Sequence, residues 1–148
     1  MTLEEMGKRL RTLEDIEAIK EMHREYAFGL TNSQWDEVLD CFTEDADINI
    51  WKHGPRKGKK EILDFFIKAI GGGRTTSSPG HLAAQPVITV DGDKARGHWI
   101  LYLFFSEPET KWVQGRHDCE YVKVDGKWKF SYLKFTRPWP VEADTFPK

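Results

Sequence analysis

The sequence predicts an α+β fold in which three helices lie on one side of a curved, mostly antiparallel sheet. Two helical segments, a short strand and a third helical segment fill the first half of the chain, and four strand-like segments follow with only turns between them. Strands joined by short turns pair as an antiparallel meander, so the helices are left to cover one face of the sheet. At 148 residues the chain predicts a single domain, 1–148, with a core at about 13–139 and terminal extensions at 1–12 and 140–148.

The first helix is predicted to begin near Leu13 and to run to Leu30, because apolar residues recur there every three or four positions. Thr12, followed three residues later by Asp15, indicates a capping box at its start. A second helix is predicted at 34–42.

Asn32 or Ser33 is expected to cap this second helix. Residues 46–51 alternate between polar and apolar side chains and predict a strand. Residues 57–70 then predict a third helix with one apolar face, which the glycines at 71–73 end.

Four strands are predicted at 80–90, 94–105, 111–124 and 127–137. Asp91-Gly92 and Asp125-Gly126 are typical of tight hairpin turns, and Glu107-Pro108 indicates a looser connection. Successive side chains of a strand point to opposite faces, so the parity of the apolar residues tells which side chains face the core.

Parity places several polar side chains inside. In the second of these strands the odd-numbered residues are apolar, and this inward set includes Trp99, Leu103 and Phe105. In the third strand the odd set puts His117 inward. In the last strand the apolar parity changes near Ser131, which predicts a β-bulge that turns Arg137 inward as well.

His23 and Tyr26 share the apolar face of the first helix, and His81 stands where the strand 80–90 begins. With His117 and Arg137, they form an inward polar set. Buried polar groups cost free energy unless each is hydrogen-bonded, so the set predicts either a satisfied core network or the polar base of a pocket. For any one histidine the core network is the commoner explanation; for the convergent group we favour the pocket.

Composition excludes several classes of function. A net charge of −2 with interspersed signs gives no basic field for nucleic acid. Two cysteines are too few for a disulfide framework, and no apolar run approaches the length of a membrane span. Spacings typical of metal sites are absent, so we expect no metal and no organic cofactor. The lack of a long apolar run and of a signal-peptide pattern predicts a soluble, cytoplasmic protein.

Three stretches carry a resemblance to a known family: "EYAFGLTNSQWDEVLDCFTEDA", "GHLAAQPVITVDGDKARGHW" and "GRHDCEYVKVDGKWKFSYLKF". Through them, the chain from about Leu13 to Trp139 resembles the SnoaL-like branch of the nuclear transport factor 2 superfamily, which includes scytalone dehydratase and bacterial bile-acid dehydratase. The resemblance implies a cone-shaped, strongly curved, mostly antiparallel sheet wrapped around a long N-terminal helix plus two further helices. An apolar pocket would open between the sheet and the long helix.

The resemblance also implies roles for individual residues. His81 matches the catalytic histidine of both dehydratases, while Tyr26 and Arg137 match the pocket tyrosine and arginine of the bile-acid enzyme. The bile-acid enzyme has an aspartate five residues after its tyrosine, and this position is Thr31 here. A second pocket aspartate falls near Leu103. A histidine base is weaker without a partner that fixes its tautomer and balances its charge.

We therefore expect His81 and Tyr26 to be catalytic residues. The residues expected to bind a small hydrophobic ligand are His117, Arg137, His23, Trp99, Leu103 and Phe105. The expected activity is that of a lyase (dehydratase) or isomerase acting on a small hydrophobic carbonyl compound, polyketide- or steroid-like.

Two alternatives stay open, a non-catalytic ligand-binding protein, and an interaction subunit like the β subunits of dioxygenases. We also expect a homo-oligomer, first of all a dimer, through the outer sheet face that carries Tyr102 and Trp112.

Overall fold

A computed structural model describes residues 1–71, 80–105 and 110–137. Within these ranges, a long N-terminal helix, two shorter helices and a six-stranded mixed sheet confirm the α+β class. The helices are α1 (Leu3–Asn32), α2 (Trp35–Asp40) and α3 (Gly58–Phe66), the last continued by a π-helical turn at Ile67–Gly71. The strands are β1 (Phe42–Ile50), β2 (Pro55–Lys57), β3 (Gly80–Asp91), β4 (Lys94–Phe105), β5 (Lys111–Val124) and β6 (Lys127–Thr136). No helix in these ranges combines the length and the apolarity that crossing a membrane requires.

The start of α1 differs from the prediction. Thr2 caps the helix: its hydroxyl accepts a hydrogen bond from the Glu5 backbone N–H at 3.1 Å, and the Glu5 carboxylate accepts one from the Thr2 N–H at 2.7 Å. The box predicted at Thr12 and Asp15 is wrong, since both residues lie inside the helix. Residues 3–12 therefore belong to α1, which begins before the predicted start near Leu13. Leu13 is 64% exposed, so the packed stripe begins further along.

The connection between α1 and α2 also corrects a prediction. Ser33 has a left-handed backbone, with φ 57°, and its N–H bonds to the carbonyl of Gly29. It therefore ends α1 and does not cap α2. Asn32 donates from its side chain to the Phe28 carbonyl within the same helix. The residue before α2, Gln34, forms no side-chain cap.

The last four strands follow the predicted bounds closely. β3 to β6 pair in sequence as an antiparallel meander, as predicted. β1 is longer than the predicted 46–51 and pairs in parallel with β6, while the short β2 adds an antiparallel edge that the sequence did not indicate. The sheet order is thus β2-β1-β6-β5-β4-β3. The expected turn at Glu107-Pro108, the glycines at 72–73 and the segment 138–148 lie outside the described residues.

β-Bulges in β6 and β3 shift the side-chain register. The pairing of β5 with β6 skips Ser131, which confirms the predicted bulge and turns Leu133 and Phe135 toward the core. A second bulge, which the sequence analysis did not predict, lies in β3 at Gln85 and Pro86. Gln85 has φ 50°, and a proline cannot donate to the ladder, so the regular pairing stops there.

The core is an aromatic cluster between α1 and the sheet. Phe130, fully buried, is its centre, with ring centroids 5.1–5.3 Å from those of Phe42, Tyr26 and Tyr121. The predicted inward parity of β4 and β5 is confirmed, since the odd-numbered residues of both strands carry most of their buried area. His98 of the even set is exposed, as predicted.

Candidate functional site

A cavity of about 280 Å³ lies at one end of the sheet, between α1, α3 and the ends of the strands. Its walls are mainly apolar: Leu30, Ile50, Trp51, Phe65, Phe66, Ala69, Ile70, Leu101, Leu103, Phe105, Val113 and Phe135. Its polar lining consists of Tyr26, His53, His81, His117 and Arg137. Among the described lining residues there is no carboxylate. Apolar walls with a few convergent polar groups are typical of a small-molecule site.

Six of the eight predicted site residues line this cavity; the other two, His23 and Trp99, lie behind it. Both are buried, with 0% and 3% of their surface exposed, and their rings pack at a centroid distance of 4.1 Å. His23 and Trp99 therefore lie beneath the site, packed against lining residues, and are not among the residues that line the cavity.

The His81 side chain is held at the entrance of β3 by Thr31 of α1. The Thr31 hydroxyl oxygen accepts a hydrogen bond from the His81 backbone N–H at 3.1 Å and lies 3.4 Å from the ring Nδ1. The same hydroxyl donates to the Ala27 carbonyl at 3.1 Å. Because this bond uses its single proton, the oxygen acts as an acceptor toward Nδ1, which favours the tautomer with its proton on Nδ1 and its lone pair on Nε2. Thr31 thus orients His81 without supplying charge.

A buried hydrogen-bond chain runs from β4 to the cavity wall. Trp99 donates from Nε1 to the Tyr121 hydroxyl oxygen at 2.9 Å, and that hydroxyl lies 3.3 Å from Nδ1 of His23. His23 Nε2 then lies 3.1 Å from Nδ1 of His117. Both nitrogens of His23 are therefore satisfied, which is the core network that the sequence left open for a single histidine.

Burial controls the charge of this pair. Burial, and secondarily the neighbouring His117, holds the pKa of His23 well below its usual range. Burial, and secondarily the charge of His81, lowers the pKa of His117 to about 3. Both rings are therefore neutral near pH 7, because desolvation disfavours the charged imidazolium.

Two polar groups in the cavity wall form no hydrogen bond with another described residue, although the residues that carry them are buried. The first is the hydroxyl of Tyr26, whose side chain is 2% exposed; the second is Nε2 of His117, which is 3% exposed. Burial, and secondarily the nearby cysteine thiols, raises the pKa of the Tyr26 phenol, so it stays a protonated donor. A ligand in the cavity would give both groups a hydrogen-bond partner.

The mouth of the cavity carries a cation–π pair. The Arg137 guanidinium carbon lies 4.7 Å from the Trp51 ring centroid, and Trp51 is 41% exposed. The bulge in β6 brings Arg137 to this position, as the parity change predicted. Trp51 and His53 were missed as lining residues. Trp51 was predicted to end the strand 46–51, whereas in the structure it lies with His53 in a short 3-10 turn that leaves no periodic signal.

Gly115 shapes the cavity wall through Phe135. A Cβ at Gly115 would lie 2.1 and 2.5 Å from two Phe135 ring atoms and 2.8 Å from the Thr136 carbonyl oxygen. We expect Gly115→Ala to lower the free energy of unfolding by about 1–3 kcal/mol, the usual range for overpacking, and to displace Phe135. Urea unfolding measures the change. Gly7→Ala, in a roomier helical position whose nearest contact is 3.5 Å, is the control and should be neutral or stabilising. Equal stability of Gly115→Ala and wild type would contradict this packing.

Within the described ranges, no group of three or more His, Cys, Asp and Glu side chains is placed to hold a metal ion. The expected absence of a metal and of an organic cofactor stays a prediction.

The sequence and the fold of the chain are similar to those of known proteins. Residues 11–134 match the sequence profile of the SnoaL-like domain family. The solved structure of hexachlorocyclohexane dehydrochlorinase LinA-type3 from Novosphingobium barchaimii is similar, with 20% identity, a TM-score of 0.78, and coverage of 95% of this chain and 99% of that chain.

Two structures from Novosphingobium aromaticivorans are also similar. A candidate scytalone dehydratase has 20% identity and a TM-score of 0.75, covering 90% of this chain and 93% of its own. A candidate aromatic ring hydroxylase has 25% identity and a TM-score of 0.75, covering 88% and 94%. At such identities the likeness establishes the fold, while the chemistry has to be argued from the cavity.

Proposed function

The chain belongs to the SnoaL-like domain family, and from this membership and the geometry of its cavity we propose a cofactor-independent lyase (dehydratase) or isomerase acting on a small hydrophobic carbonyl compound. One observation carries the proposal. Tyr26, His81 and His117, from three separate elements, bring polar groups into one apolar cavity, and the Tyr26 hydroxyl and His117 Nε2 have no partner among the described residues.

His81 is the proposed base. With its proton on Nδ1 facing Thr31, its Nε2 lone pair takes a proton from the carbon next to the substrate carbonyl. The electron pair of the broken C–H bond forms a C=C bond, and the carbonyl oxygen becomes an enolate oxygen. The Tyr26 hydroxyl or the Arg137 guanidinium stabilises this charge by hydrogen bonding.

The second half of the reaction separates a lyase from an isomerase. In a dehydratase the enolate re-forms the carbonyl and expels a hydroxyl from the next carbon, which leaves as water with the proton that His81 took. In an isomerase the same proton returns to a different carbon. The fold is compatible with elimination, since a dehydrochlorinase shares it, although this is an analogy at the level of the fold.

The cavity favours a compact substrate. Its volume of about 280 Å³ is just below the roughly 300–1,000 Å³ typical of ligand clefts, and its walls are aromatic and aliphatic. We propose the smaller polyketide- or steroid-like carbonyl compounds as the substrate class.

The proposed function is tested by exchange of α-protons with solvent. The protein is incubated in D₂O with a panel of cyclic ketones, including 1-indanone and 2-tetralone, and loss of the α-proton signal is followed by NMR. We expect exchange above the buffer rate for at least one ketone. Ketones that bind without any exchange would instead support the ligand-binding alternative.

That alternative has one observation in its favour. Thr31 stands beside His81 where related enzymes have an aspartate, and no described lining residue is a carboxylate. Without a carboxylate beside it, the imidazolium form of a histidine base is less stabilised, and the base is weaker. A binding protein would keep the cavity and its donors but catalyse no exchange.

The finer architecture, a strongly curved cone of strands around α1, is part of the proposal. Bulges bend and twist the strand that contains them, and they occur in β3 and β6. Side chains from β1, β3, β4, β5 and β6 contribute to one cavity together with α1, which supports such curvature.

A homodimer through the outer sheet face is also proposed. Tyr102 stacks on Phe104 at a centroid distance of 6.2 Å and lies 6.1 Å from Trp112, while the neighbouring Leu82 is 51% exposed. Gln114 donates to the Tyr102 hydroxyl at 3.0 Å and fixes that ring. Clustered aromatic residues on a face of this kind are typical interface anchors.

Light scattering tests the dimer. We expect wild-type protein to be dimeric at micromolar concentration and Phe104→Glu, which places a charge in the aromatic cluster, to be monomeric. Arg96→Glu changes the charge at the opposite end of the same face and should remain dimeric. A monomeric wild type would contradict the proposal, and a dimeric Phe104→Glu would exclude this surface.

A further inference from the structure

Among the described residues, His117 belongs both to the buried hydrogen-bond chain and to the cavity lining. Its Nδ1 faces His23 at 3.1 Å, and its Nε2 is the ring nitrogen left for the cavity. A neutral imidazole carries its proton on one nitrogen and a lone pair on the other. His117 Nε2 is therefore either a donor or an acceptor toward a ligand. Which of the two it is depends on the direction of the hydrogen bonds from Tyr121 to His23 and from His23 to His117.

The chain begins with a fixed donor. The indole N–H of Trp99 can only donate, so the Tyr121 oxygen accepts from it at 2.9 Å. The Tyr121 proton then has two candidate acceptors, Nδ1 of His23, which lies 3.3 Å from the Tyr121 oxygen, and the neighbouring Cys119 thiol. An imidazole nitrogen is a much better acceptor than a thiol sulfur, so the proton points to His23.

The direction of the Tyr121–His23 hydrogen bond then fixes the direction of the next one, between His23 and His117. His23 accepts on Nδ1 and so carries its proton on Nε2, from which it donates to Nδ1 of His117. His117 in turn carries its proton on Nε2, which faces the cavity. The opposite direction would leave the Tyr121 proton on the poor acceptor Cys119.

We propose that His117 is a fixed, neutral hydrogen-bond donor in the cavity, that Tyr121 and His23 are the positioning residues that set its tautomer, and that the group it binds is a carbonyl, enolate or phenolate oxygen. The inference deepens the proposed function by naming the ligand group that this site takes. It rests on the proposed function only in treating the cavity as a ligand site. The tautomer itself does not depend on catalysis.

The proposed tautomer divides the work of the two cavity histidines. His81, with its proton held toward Thr31, presents a lone pair, whereas His117 presents an N–H. A donor held by a buried chain needs no reorganisation when charge develops on the ligand oxygen, which is the condition for strong electrostatic stabilisation. Burial keeps the ring neutral, so the donor persists across the physiological pH range.

The tautomer is measured directly by NMR of uniformly ¹⁵N-labelled protein, in which two-bond correlations distinguish a protonated from an unprotonated ring nitrogen. His117 is assigned by comparison with His117→Asn. We expect the proton on Nε2 in the ligand-free wild type. A proton on Nδ1 would overturn the proposal without any variant being needed.

Two variants test the positioning role. Tyr121→Phe removes the donor to His23 and should convert His117 wholly or partly to the other tautomer. Cys119→Ala removes the competing acceptor at the same hydroxyl and should leave the tautomer unchanged. An unchanged tautomer in Tyr121→Phe, or a switched one in Cys119→Ala, would show that the chain does not run in this direction.

The ligand group is tested with 1-indanone and indane, which have the same ring system and differ in the carbonyl oxygen. We expect 1-indanone to bind about 10-fold more tightly, the contribution of one hydrogen bond, and to shift the His117 Nε2–H resonance. Equal affinity, or no shift of that resonance, would overturn the ligand assignment. If 1-indanone binds His117 as expected but no ketone exchanges protons, the inference stands and the proposed catalysis fails.

Discussion

His81→Ala is expected to reduce the rate of α-proton exchange by about 10²–10⁴-fold while leaving the fold intact, because the variant lacks the group that takes the proton. His81 lines the cavity, and its Nδ1 lies 3.4 Å from the Thr31 hydroxyl, so its Nε2 is the proposed basic atom. The NMR exchange assay measures the rate, and thermal melting measures the fold. Ligand affinity, determined with 1-indanone, should change far less than the rate.

Thr31→Val is the matched control for His81. Valine keeps the shape of threonine and removes the hydroxyl that bonds to the His81 ring and backbone. We expect a smaller loss of rate than in His81→Ala, because the base remains and only its orientation is relaxed. If His81 merely packs, His81→Ala will instead lower stability by about 1–3 kcal/mol with rate and affinity unchanged. That result would end its assignment as the base.

The sequence predicted the direction of side chains well in β4 to β6. Their period of two and their turn dipeptides are local signals, and the structure shows why the turns are specific: Asp125 and Gly126 both have positive φ, at 50° and 78°. The parity change at Ser131 likewise exposed a bulge. These features depend on neighbours in the chain, so a single sequence is sufficient to find them.

Other features depend on competition between two similar local signals or on contacts between distant parts of the chain. Thr2 with Glu5 and Thr12 with Asp15 both fit a capping pattern, and local chemistry alone does not decide where α1 begins. The parallel pairing of β1 with β6 joins segments far apart in the chain, and the chain order of the elements carries no signal for it.

The candidate site shows the same division. Parity placed His117 inward, and Tyr121 has the same parity. The hydrogen bond between His117 and His23, however, joins residues 94 positions apart. The sequence analysis recognised that Thr31 stands where the bile-acid enzyme has an aspartate. The hydrogen bond between its hydroxyl and His81 spans 50 positions and could be found only from the folded structure. A period tells which way a side chain points, but the residue that it meets is fixed by the packing of other elements.

The buried histidine pair is expected to make the protein sensitive to mild acid. We predict that the free energy of unfolding falls by about 2–3 kcal/mol between pH 7.5 and pH 4.5 through His117 alone, with a further loss through His23. In the unfolded chain, both His23 and His117 titrate near the usual pKa of about 6.5. In the folded protein, burial holds the pKa of His117 at about 3 and that of His23 well below its usual range.

The sign follows from proton binding. Below about pH 6.5 the unfolded chain binds protons that the folded chain does not, so each pH unit costs about 1.4 kcal/mol per histidine. This stability is fully present above pH 6.5 and is lost as the pH falls toward the folded-state pKa. Asp15 and Asp40, whose pKa values are lowered by hydrogen bonds to Lys123 and Lys129, lose their contribution only below about pH 4. The interval from pH 6.5 to 4.5 therefore isolates the histidines.

Urea unfolding at each pH, at one protein concentration because a dimer's stability depends on it, measures the effect. His117→Asn retains a polar partner for His23 and removes one titrating group, so its stability should fall about half as steeply with acid as that of the wild type. His98→Asn, at an exposed position on the outer face, is the control and should keep the wild-type slope. If His117→Asn kept the full slope, the acid sensitivity would belong to other groups, and the buried pair would have to bind protons without unfolding.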